Sequence, residues 1–257
     1  MQPTPVKVAA LARGIPTLEP LKMRDSFAPI ADARADLFAV ASYGKILPQA
    51  LLDLAARGAL NVHPSLLPLY RGATPLQTQL RDGVSESGVT VIFMDAGMDT
   101  GDIVLVERSA IGPDETYGEL HDRFARLGGK LLGQAVRLVA EGNAERTPQA
   151  GLASQEDIER TMTHPLDRRA SVVDWSWPAR RIVDHVRSLS PSPGARATLG
   201  GEEPLVKLLD VRVADGPDFG ELVVPCGSGE FVAIERLVPP NRNAMTGRAY
   251  LASAVTR

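Results

Sequence analysis

The sequence predicts a doubly wound α/β domain over residues 1–145, a linker over 146–170, and a small β-barrel module over 171–257. In the first part, short continuous apolar runs alternate with segments of helical periodicity. The runs at 37–41 and 59–63 are typical of strands buried on both faces of a parallel sheet. In the linker the periodicity fades, and in the last part short β-like runs are separated by Gly, Pro and Asp clusters.

The individual elements follow from start and stop signals. Thr4, Pro5 and Gly14 predict a helix over 4–13, with a cap, a first-turn proline and a terminator. The remaining expected elements are a strand at 15–18, a helix at 27–34, strands at 37–41 and 59–63 around a helix at 48–56, a helix from Pro75, strands at 88–94 and 103–109, helices at 116–141 and 177–189, and strands at 195–199, 205–213, 222–225 and 231–238.

Composition excludes several classes of protein. The net charge is −3, so the whole chain is not an obvious polyanion binder. The single Cys226 excludes a disulfide framework and any multi-cysteine zinc site. No apolar run reaches spanning length, and the first residues lack the apolar core of a signal peptide. We expect a cytoplasmic monomer with no membrane attachment and no metal.

Two polar side chains interrupt the apolar run at 59–63. Asn61 and His63 are two residues apart in a predicted strand, so both project from the same face near its carboxyl end. A lone histidine at a strand end is more often structural than catalytic. Two large polar groups on one face of an apolar strand, however, need partners or a function, and we favour a ligand crevice.

The acidic segment Asp95 to Asp102 supplies a possible partner for that histidine. A purely structural interpretation of this segment is a turn, for which Gly and Asp are ordinary residues. A calcium loop is excluded because its third position is Gly97, its sixth is Thr100, and the bidentate acid is absent. As a loop between two strands, the segment would deliver one carboxylate to the crevice of His63. Spacing alone does not separate its three acids.

Two nearby loops are candidates for a ligand pocket. Ser65 has no G-x-S-x-G turn around it, which argues against a serine hydrolase. The prolines Pro64 and Pro68 instead predict a stiff loop with exposed backbone amides and two leucines, suited to a flat, partly polar ligand. The segment 43–48 either lines the same pocket or is a simple strand-to-helix turn.

Charge is segregated in the second half of the chain. Residues 160–196 carry seven arginines and three acidic residues, and residues 236–257 carry four arginines and no acidic residue. The intervening 197–235 has two basic and eight acidic residues. Such segregation places a basic face toward phosphates or simply forms solvated helices.

These segments resemble the methionyl-tRNA formyltransferases, a folate-dependent formyltransferase family. The likeness runs from Val6 to the tail and is carried by NVHPSLLPLYRGATPLQ at 61–77, MDTGD at 98–102, VDWSWPARRI at 173–182 and PSPGA at 191–195. It implies a Rossmann-like parallel-sheet domain and an OB-like barrel that binds tRNA. It also implies a catalytic triad of Asn61, His63 and Asp99, a tetrahydrofolate-binding segment of Ser65, Leu66, Leu67 and Pro68, and a pterin pocket formed by Ile46, Leu47 and the 95–99 backbone.

The implied reaction moves a formyl group from 10-formyltetrahydrofolate to the α-amine of methionyl initiator tRNA, for translation initiation. Asn61 and a protonated His63 would steady the oxyanion, and Asp99 would keep His63 cationic. The alternatives are formyl transfer to an amino-sugar nucleotide, formyl-folate hydrolysis, or an inactive folate- or RNA-binding remnant. The VDWSWP segment and the basic tail favour tRNA.

The chain departs from the family at its start. Family members begin with a strand, a glycine- or proline-bearing turn and a helix, whereas this chain begins inside the loop that follows. We therefore expect it to lack a βαβ unit of about 30 residues or more, and to be poorly active or misfolded as written.

Overall fold

The computed structural model describes residues 3–20, 27–44, 47–167, 169–199, 205–217 and 221–255. Its elements are, in chain order, α1 (Pro5–Leu11), α2 (Phe27–Asp32), β1 (Phe38–Ala41), α3 (Gln49–Leu52), β2 (Ala59–His63), α4 (Pro75–Arg81), β3 (Glu86–Phe93), β4 (Ile103–Ala110), α5 (Tyr117–Glu141), α6 (Gln155–Arg160), α7 (Ala179–Leu189), β5 (Ala195–Ala197), β6 (Val206–Ala214), β7 (Val223–Pro225), β8 (Phe231–Val238), β9 (Met245–Thr246) and α8 (Gly247–Val255).

The first sheet has the order β1-β2-β3-β4 and is mixed, not parallel. Strands β1 and β2 pair in parallel, as predicted for a Rossmann-like layer, but β2–β3 and β3–β4 pair antiparallel. The direction of β4 follows from its connection, because residues 94–102 form a loop with no crossover helix. Apolar runs of this length predict a strand but carry no information about its direction.

Helix α5 covers one face of this sheet. It begins with a capping box between Thr116 and Glu119 and ends at Gly142, whose φ is 76°. Its apolar stripe packs with the strand residues in one core, and Gly128 lets the helix approach β2, because an added Cβ would lie 3.0 Å from Val62. The opposite face of β2, which carries Asn61 and His63, is left for loops.

The second sheet has the order β5-β6-β8-β7, with β9 also paired to β8. All its pairings are antiparallel, and α7 packs on it to form the second core. The predicted OB-like barrel is not confirmed, since the end strands β5 and β7 do not pair with each other in the described residues. Both end strands have only three residues, which is too short to close a barrel.

Three local expectations need correction. Residues 15–18 form no strand, and no backbone pairing is seen for them among the described residues. The predicted linker contains α6 and pairs with both β4 and the turn at Gly72. The tail folds into α8, which was not predicted. None of the helices in the described part of the chain has the length and apolarity needed to cross a bilayer.

Candidate active site

The site is built on the face of β2 that α5 leaves uncovered. Asn61 and His63 lie opposite Ile92 and Thr90 of β3 in the register, and their side chains share one face as the two-residue spacing predicts. Asn61 is half-buried, whereas His63 is only 4% exposed. Most buried polar atoms in proteins have hydrogen-bond partners, so the groups around the two ring nitrogens of His63 define its role.

The loop at 94–102 reaches this face from an unexpected direction. Because β3 is antiparallel to β2, the loop begins beside the start of β2, where the Met94 amide donates to the Ala59 carbonyl (2.7 Å). It then folds back over the strand. Asp99 Oδ2 lies 3.6 Å from His63 Nδ1, and Asp99 Oδ1 lies 3.5 Å from Asn61 Nδ2. The three predicted catalytic side chains therefore converge, but across the face of the strand and not only at its end.

The structure separates the three acids that spacing left equivalent. Asp95 organises its own loop by accepting from the Gly97 amide (3.0 Å) and from Thr100 Oγ1 (2.6 Å). Asp102 lines a cleft beside the loop. Asp99 has a left-handed φ of 54° and a side chain only 17% exposed, turned toward the histidine.

A hydrogen bond to Tyr70 fixes the tautomer of His63. Its Nε2 lies 2.8 Å from the Tyr70 carbonyl oxygen, and a carbonyl only accepts, so Nε2 carries a proton. Tyr70 adopts a left-handed φ of 58°, which aims its carbonyl at the ring. Nδ1 is consequently the nitrogen that faces Asp99 and is available to exchange a proton.

Burial is the dominant influence on His63. Desolvation lowers the pKa of His63 below its usual 6.5, while Asp99 and the Tyr70 carbonyl oppose this and Arg71 adds to it. The cationic histidine that the family resemblance implies is thus favoured by Asp99 and disfavoured by burial.

A tight turn completes the pocket around the carboxylate. The Gly72 amide donates to Asp99 Oδ2 (2.9 Å), with Gly72 at a φ of 108°. A Cβ on Gly72 would lie 2.2 Å from the Thr163 carbonyl oxygen, so only glycine fits there. The turn thus supplies Asp99 with a shorter hydrogen bond than the one that Asn61 of the strand donates at 3.5 Å.

Two domain families match this chain. The Formyl transferase family matches residues 5–136, and the Formyl transferase C-terminal domain matches residues 165–255. Methionyl-tRNA formyltransferase of Acidovorax ebreus is 42% identical over 255 residues, covering 91% of this chain and 77% of the relative. The chain belongs to the methionyl-tRNA formyltransferase family. The enzyme of the same name from Syntrophus aciditrophicus is 43% identical over 249 residues, covering 96% of this chain and 74% of the relative.

Solved structures share the fold at low identity. HypX from Aquifex aeolicus in complex with tetrahydrofolic acid aligns with a TM-score of 0.65 at 17% identity, covering 89% of this chain and 41% of HypX. WlaRD, a sugar 3N-formyl transferase, aligns with a TM-score of 0.63 at 16% identity, covering 93% of this chain and 82% of that one. At these identities the likeness supports the fold and no more.

One residue of this formyltransferase contacts the site from between the two matched domains. Gln149 is 4% exposed, and its Nε2 donates to the carbonyls of Asp99 (2.9 Å) and Gly101 (2.8 Å). Its Oε1 accepts from Arg71 Nε (3.2 Å) and Nη2 (2.6 Å). No sequence pattern marks Gln149, because it lies in a polar, aperiodic segment where one glutamine is not distinguishable from its neighbours.

The segment predicted to bind tetrahydrofolate is more internal than expected. Ser65, Leu67 and Pro68 are buried, and Leu66 is half-buried. The amides of Ser65 and Leu67 donate within the protein, to the His63 carbonyl (3.0 Å) and to Thr90 Oγ1 (3.3 Å). The expectation of exposed amides is therefore wrong for these two residues. The segment is packed into the protein interior.

Of the two side chains predicted for the pterin pocket, Ile46 and Leu47, the structure describes one. Ile46 lies outside the described residues, while Leu47 is half-buried just before α3. Beside the Asp99 loop there is a cleft of about 530 Å³, lined in part by Arg71, Thr100 and Gln149. Asn61, His63 and Asp99 are not among its lining residues, so this cleft lies beside the predicted catalytic side chains.

Proposed function

We propose that this protein transfers a formyl group from 10-formyltetrahydrofolate to the α-amine of methionyl initiator tRNA, as its membership of the methionyl-tRNA formyltransferase family indicates. The observation that carries the proposal is the convergence of Asn61, His63 and Asp99 on one face of β2. An amide donor, a proton acceptor and a carboxylate are the groups that acyl-type transfer requires.

In the proposed reaction the amine attacks the formyl carbon, and the carbonyl oxygen becomes negative. Asn61 Nδ2 donates to that oxygen. His63 Nδ1 accepts the proton that the amine loses, and Asp99, 3.6 Å away, stabilises the imidazolium that forms. The bond from the formyl carbon to N10 of the folate then breaks, and the proton passes from His63 to N10. The lowered pKa of His63 suits this role, because a base must be unprotonated at working pH.

The folate is proposed to bind against the wall formed by Ser65, Leu66, Leu67 and Pro68, with Ile46, Leu47 and the 95–99 backbone around the pterin. Leu67 of this segment packs against Ile92 and Ile103, which supports a rigid apolar surface for a flat ring. The 10-formyl derivative is the donor proposed, in line with the relatives named formyltransferases.

The catalytic unit is proposed to span residues 1–145 and the tRNA-binding unit residues 171–257. The support is the segregated charge of the second half, with arginines exposed on β5, β8 and the segments that follow. Phosphate contacts from such arginines provide affinity that does not depend on sequence. We further propose that the protein acts as a cytoplasmic monomer.

A His63→Ala variant tests the proposal. We expect formyl transfer from 10-formyltetrahydrofolate to methionyl-tRNA to fall by about 10²- to 10⁴-fold, because the proton acceptor is lost. Folate binding, measured by calorimetry, should persist. The matched control is His121→Ala, since His121 is exposed on α5, where it contacts Asp122 and the Tyr117 ring.

Equal transfer by the His63→Ala variant and the parent would contradict the proposed chemistry. Parental transfer to an amino-sugar nucleotide in preference to methionyl-tRNA would instead favour the substrate class of the structural neighbour WlaRD. A parent that binds folate but releases only formate would indicate hydrolysis.

A further inference from the structure

Gln149 ties the linker to the loop that carries Asp99. Its amide group uses all its hydrogen-bonding capacity in this one place, with two donors to the Asp99 and Gly101 carbonyls and its oxygen shared by two nitrogens of Arg71. The side chain is 4% exposed, so water does not compete for these bonds. Such a fully satisfied buried amide fixes the backbone on which it acts.

We infer that Gln149 is a positioning residue for formyl transfer, which holds the Asp99 carboxylate against His63 by clamping the backbone of the loop. The inference rests on the proposed function. Asp99 has a left-handed backbone, which for a residue other than glycine persists only where its surroundings impose it. Gln149 binds the carbonyl of Asp99 itself and the carbonyl two residues later, so it restrains the backbone that leaves this strained position.

The contacts of the Asp99 carboxylate hold it less firmly than Gln149 holds the backbone of the same loop. Within the described residues its one short hydrogen bond comes from the Gly72 amide at 2.9 Å, and its contacts with Asn61 and His63 are 3.5 and 3.6 Å long. A contact at that distance weakens with small displacements of the loop. The position of the carboxylate therefore depends on the backbone that Gln149 holds.

The linker fixes Gln149 in turn. Two residues earlier, Thr147 pairs with Ile103 through both backbone hydrogen bonds, at 2.8 and 2.9 Å. The amide thus extends from an anchored strand-like segment, not from a free loop. A residue that sequence patterns place between two domains is consequently part of the support for the catalytic loop.

A Gln149→Met variant removes the hydrogen bonds while keeping the length of the side chain. We expect kcat for formyl transfer to fall about 10- to 100-fold, with KM for both substrates within about threefold of the parent, because the loss falls on the reacting geometry. Gln149→Glu keeps an acceptor for Arg71 but cannot donate to the two carbonyls, and should lose as much. The control is Gln155→Met, since Gln155 is exposed and bonds to Glu159.

A double-mutant cycle separates positioning from general destabilisation. If Gln149 acts through Asp99, adding Gln149→Met to Asp99→Asn should lower kcat by less than about threefold further. An independent reading comes from titrating His63 by NMR without substrates. His63 is faced by Asp99, Arg71 and the Tyr70 carbonyl. The Asp99→Asn variant is therefore the reference for a His63 that has lost its carboxylate. Gln149→Met should shift the titration midpoint of His63 in the same direction as Asp99→Asn does.

Additive losses in the cycle, or an unchanged His63 midpoint in Gln149→Met, would overturn the inference. A kcat for Gln149→Met within threefold of the parent would do so as well. A parent without formyl transfer would count against the proposed function alone, because the His63 titration still tests whether Gln149 positions Asp99.

Discussion

Tyr70 and Asp99 have left-handed backbone conformations although neither is a glycine. These conformations direct the groups that meet at His63. One presents a carbonyl to Nε2 and the other a carboxylate to Nδ1. Each such conformation costs free energy and marks a place where the surrounding fold imposes the geometry. At the scale of single residues, the site is therefore defined by backbone conformation as much as by side-chain type.

Gly72→Ala is expected to damage both stability and activity. The new Cβ would meet the Thr163 carbonyl, and the positive φ would add strain, so the free energy of unfolding should fall by about 1–3 kcal/mol. The Gly72 amide would also shift from Asp99, so kcat should fall as well. Denaturant unfolding and initial-rate kinetics measure the two effects.

The control for this substitution is Gly129→Ala. Gly129 lies on the exposed side of α5, and nothing lies within 4 Å of an added Cβ. Alanine there should leave activity unchanged and raise the free energy of unfolding by up to about 1 kcal/mol. Equal unfolding free energies for Gly72→Ala and the parent would show that the turn relaxes without cost.

Sequence patterns predicted the residues on β2 but not the source of their partners. Asn61 and His63 were found because polar groups on an apolar strand stand out. The choice of Asp99 came from the family resemblance, and the structure shows Asp95 in a loop-forming role instead. Gln149 and the Tyr70 carbonyl carry no residue-type signal, because their contribution depends on long-range backbone placement.

At the scale of elements, α7 joins the two units. Arg187 is 6% exposed on this helix, pairs with Asp184 (2.7 Å), and donates to the carbonyls of Gly112 and Glu115 (both 3.2 Å) and of Leu80 (3.4 Å). The helix thereby binds the loop after β4 and the end of α4. A buried cation that satisfies three carbonyls specifies how α7 docks.

Arg187→Met is expected to lower the free energy of unfolding by about 3 kcal/mol, because it leaves three carbonyls and a buried carboxylate with fewer partners. The matched control is Arg181→Met. Arg181 is exposed and stacks over Trp177 at 4.4 Å, so its loss should cost less than about 1 kcal/mol. Urea unfolding of both variants makes the comparison, and equal losses would argue against an anchoring role for Arg187.

Element predictions were most accurate where periodicity was strong. Strands β2 and β8 have the predicted bounds, and α5 differs from its prediction by one residue at its start. The strand expected at 15–18 does not form, since a short run between prolines has no neighbour to pair with among the described residues. The contacts of the predicted linker with β4 and the turn at Gly72 have no sequence signal, because they join residues that are distant along the chain.

At the scale of the whole molecule, the net charge of −3 conceals a segregation of charge in the second half, where basic stretches at 160–196 and 236–257 flank an acidic one. The arginines of this half differ in their partners. Arg212 is neutralised by Glu221 and Glu235, whereas Arg242 is exposed in the segment between β8 and β9. Proposed contacts with tRNA phosphates therefore fall to arginines such as Arg242.

Arg242→Gln is expected to weaken binding of methionyl-tRNA and to reduce by about one the slope of log K against log salt concentration. Arg212→Gln is the control and should leave the slope unchanged, because two carboxylates already engage that guanidinium. Filter binding at several salt concentrations measures both slopes. A larger change for Arg212 than for Arg242 would place the phosphate contacts on another surface.

The contacts between the linker and the turn at Gly72 bear on how this enzyme can be dissected. Thr161 Oγ1 accepts from the Tyr70 amide (3.2 Å), and the Thr163 amide donates to the Arg71 carbonyl (2.8 Å). A fragment cut at residue 145 would retain Asn61, His63 and Asp99, the side chains proposed to react, and yet lose the segment whose hydrogen bonds hold the Tyr70–Gly72 turn beside them. Recombinant halves intended to report intrinsic chemistry should therefore be divided beyond Thr163.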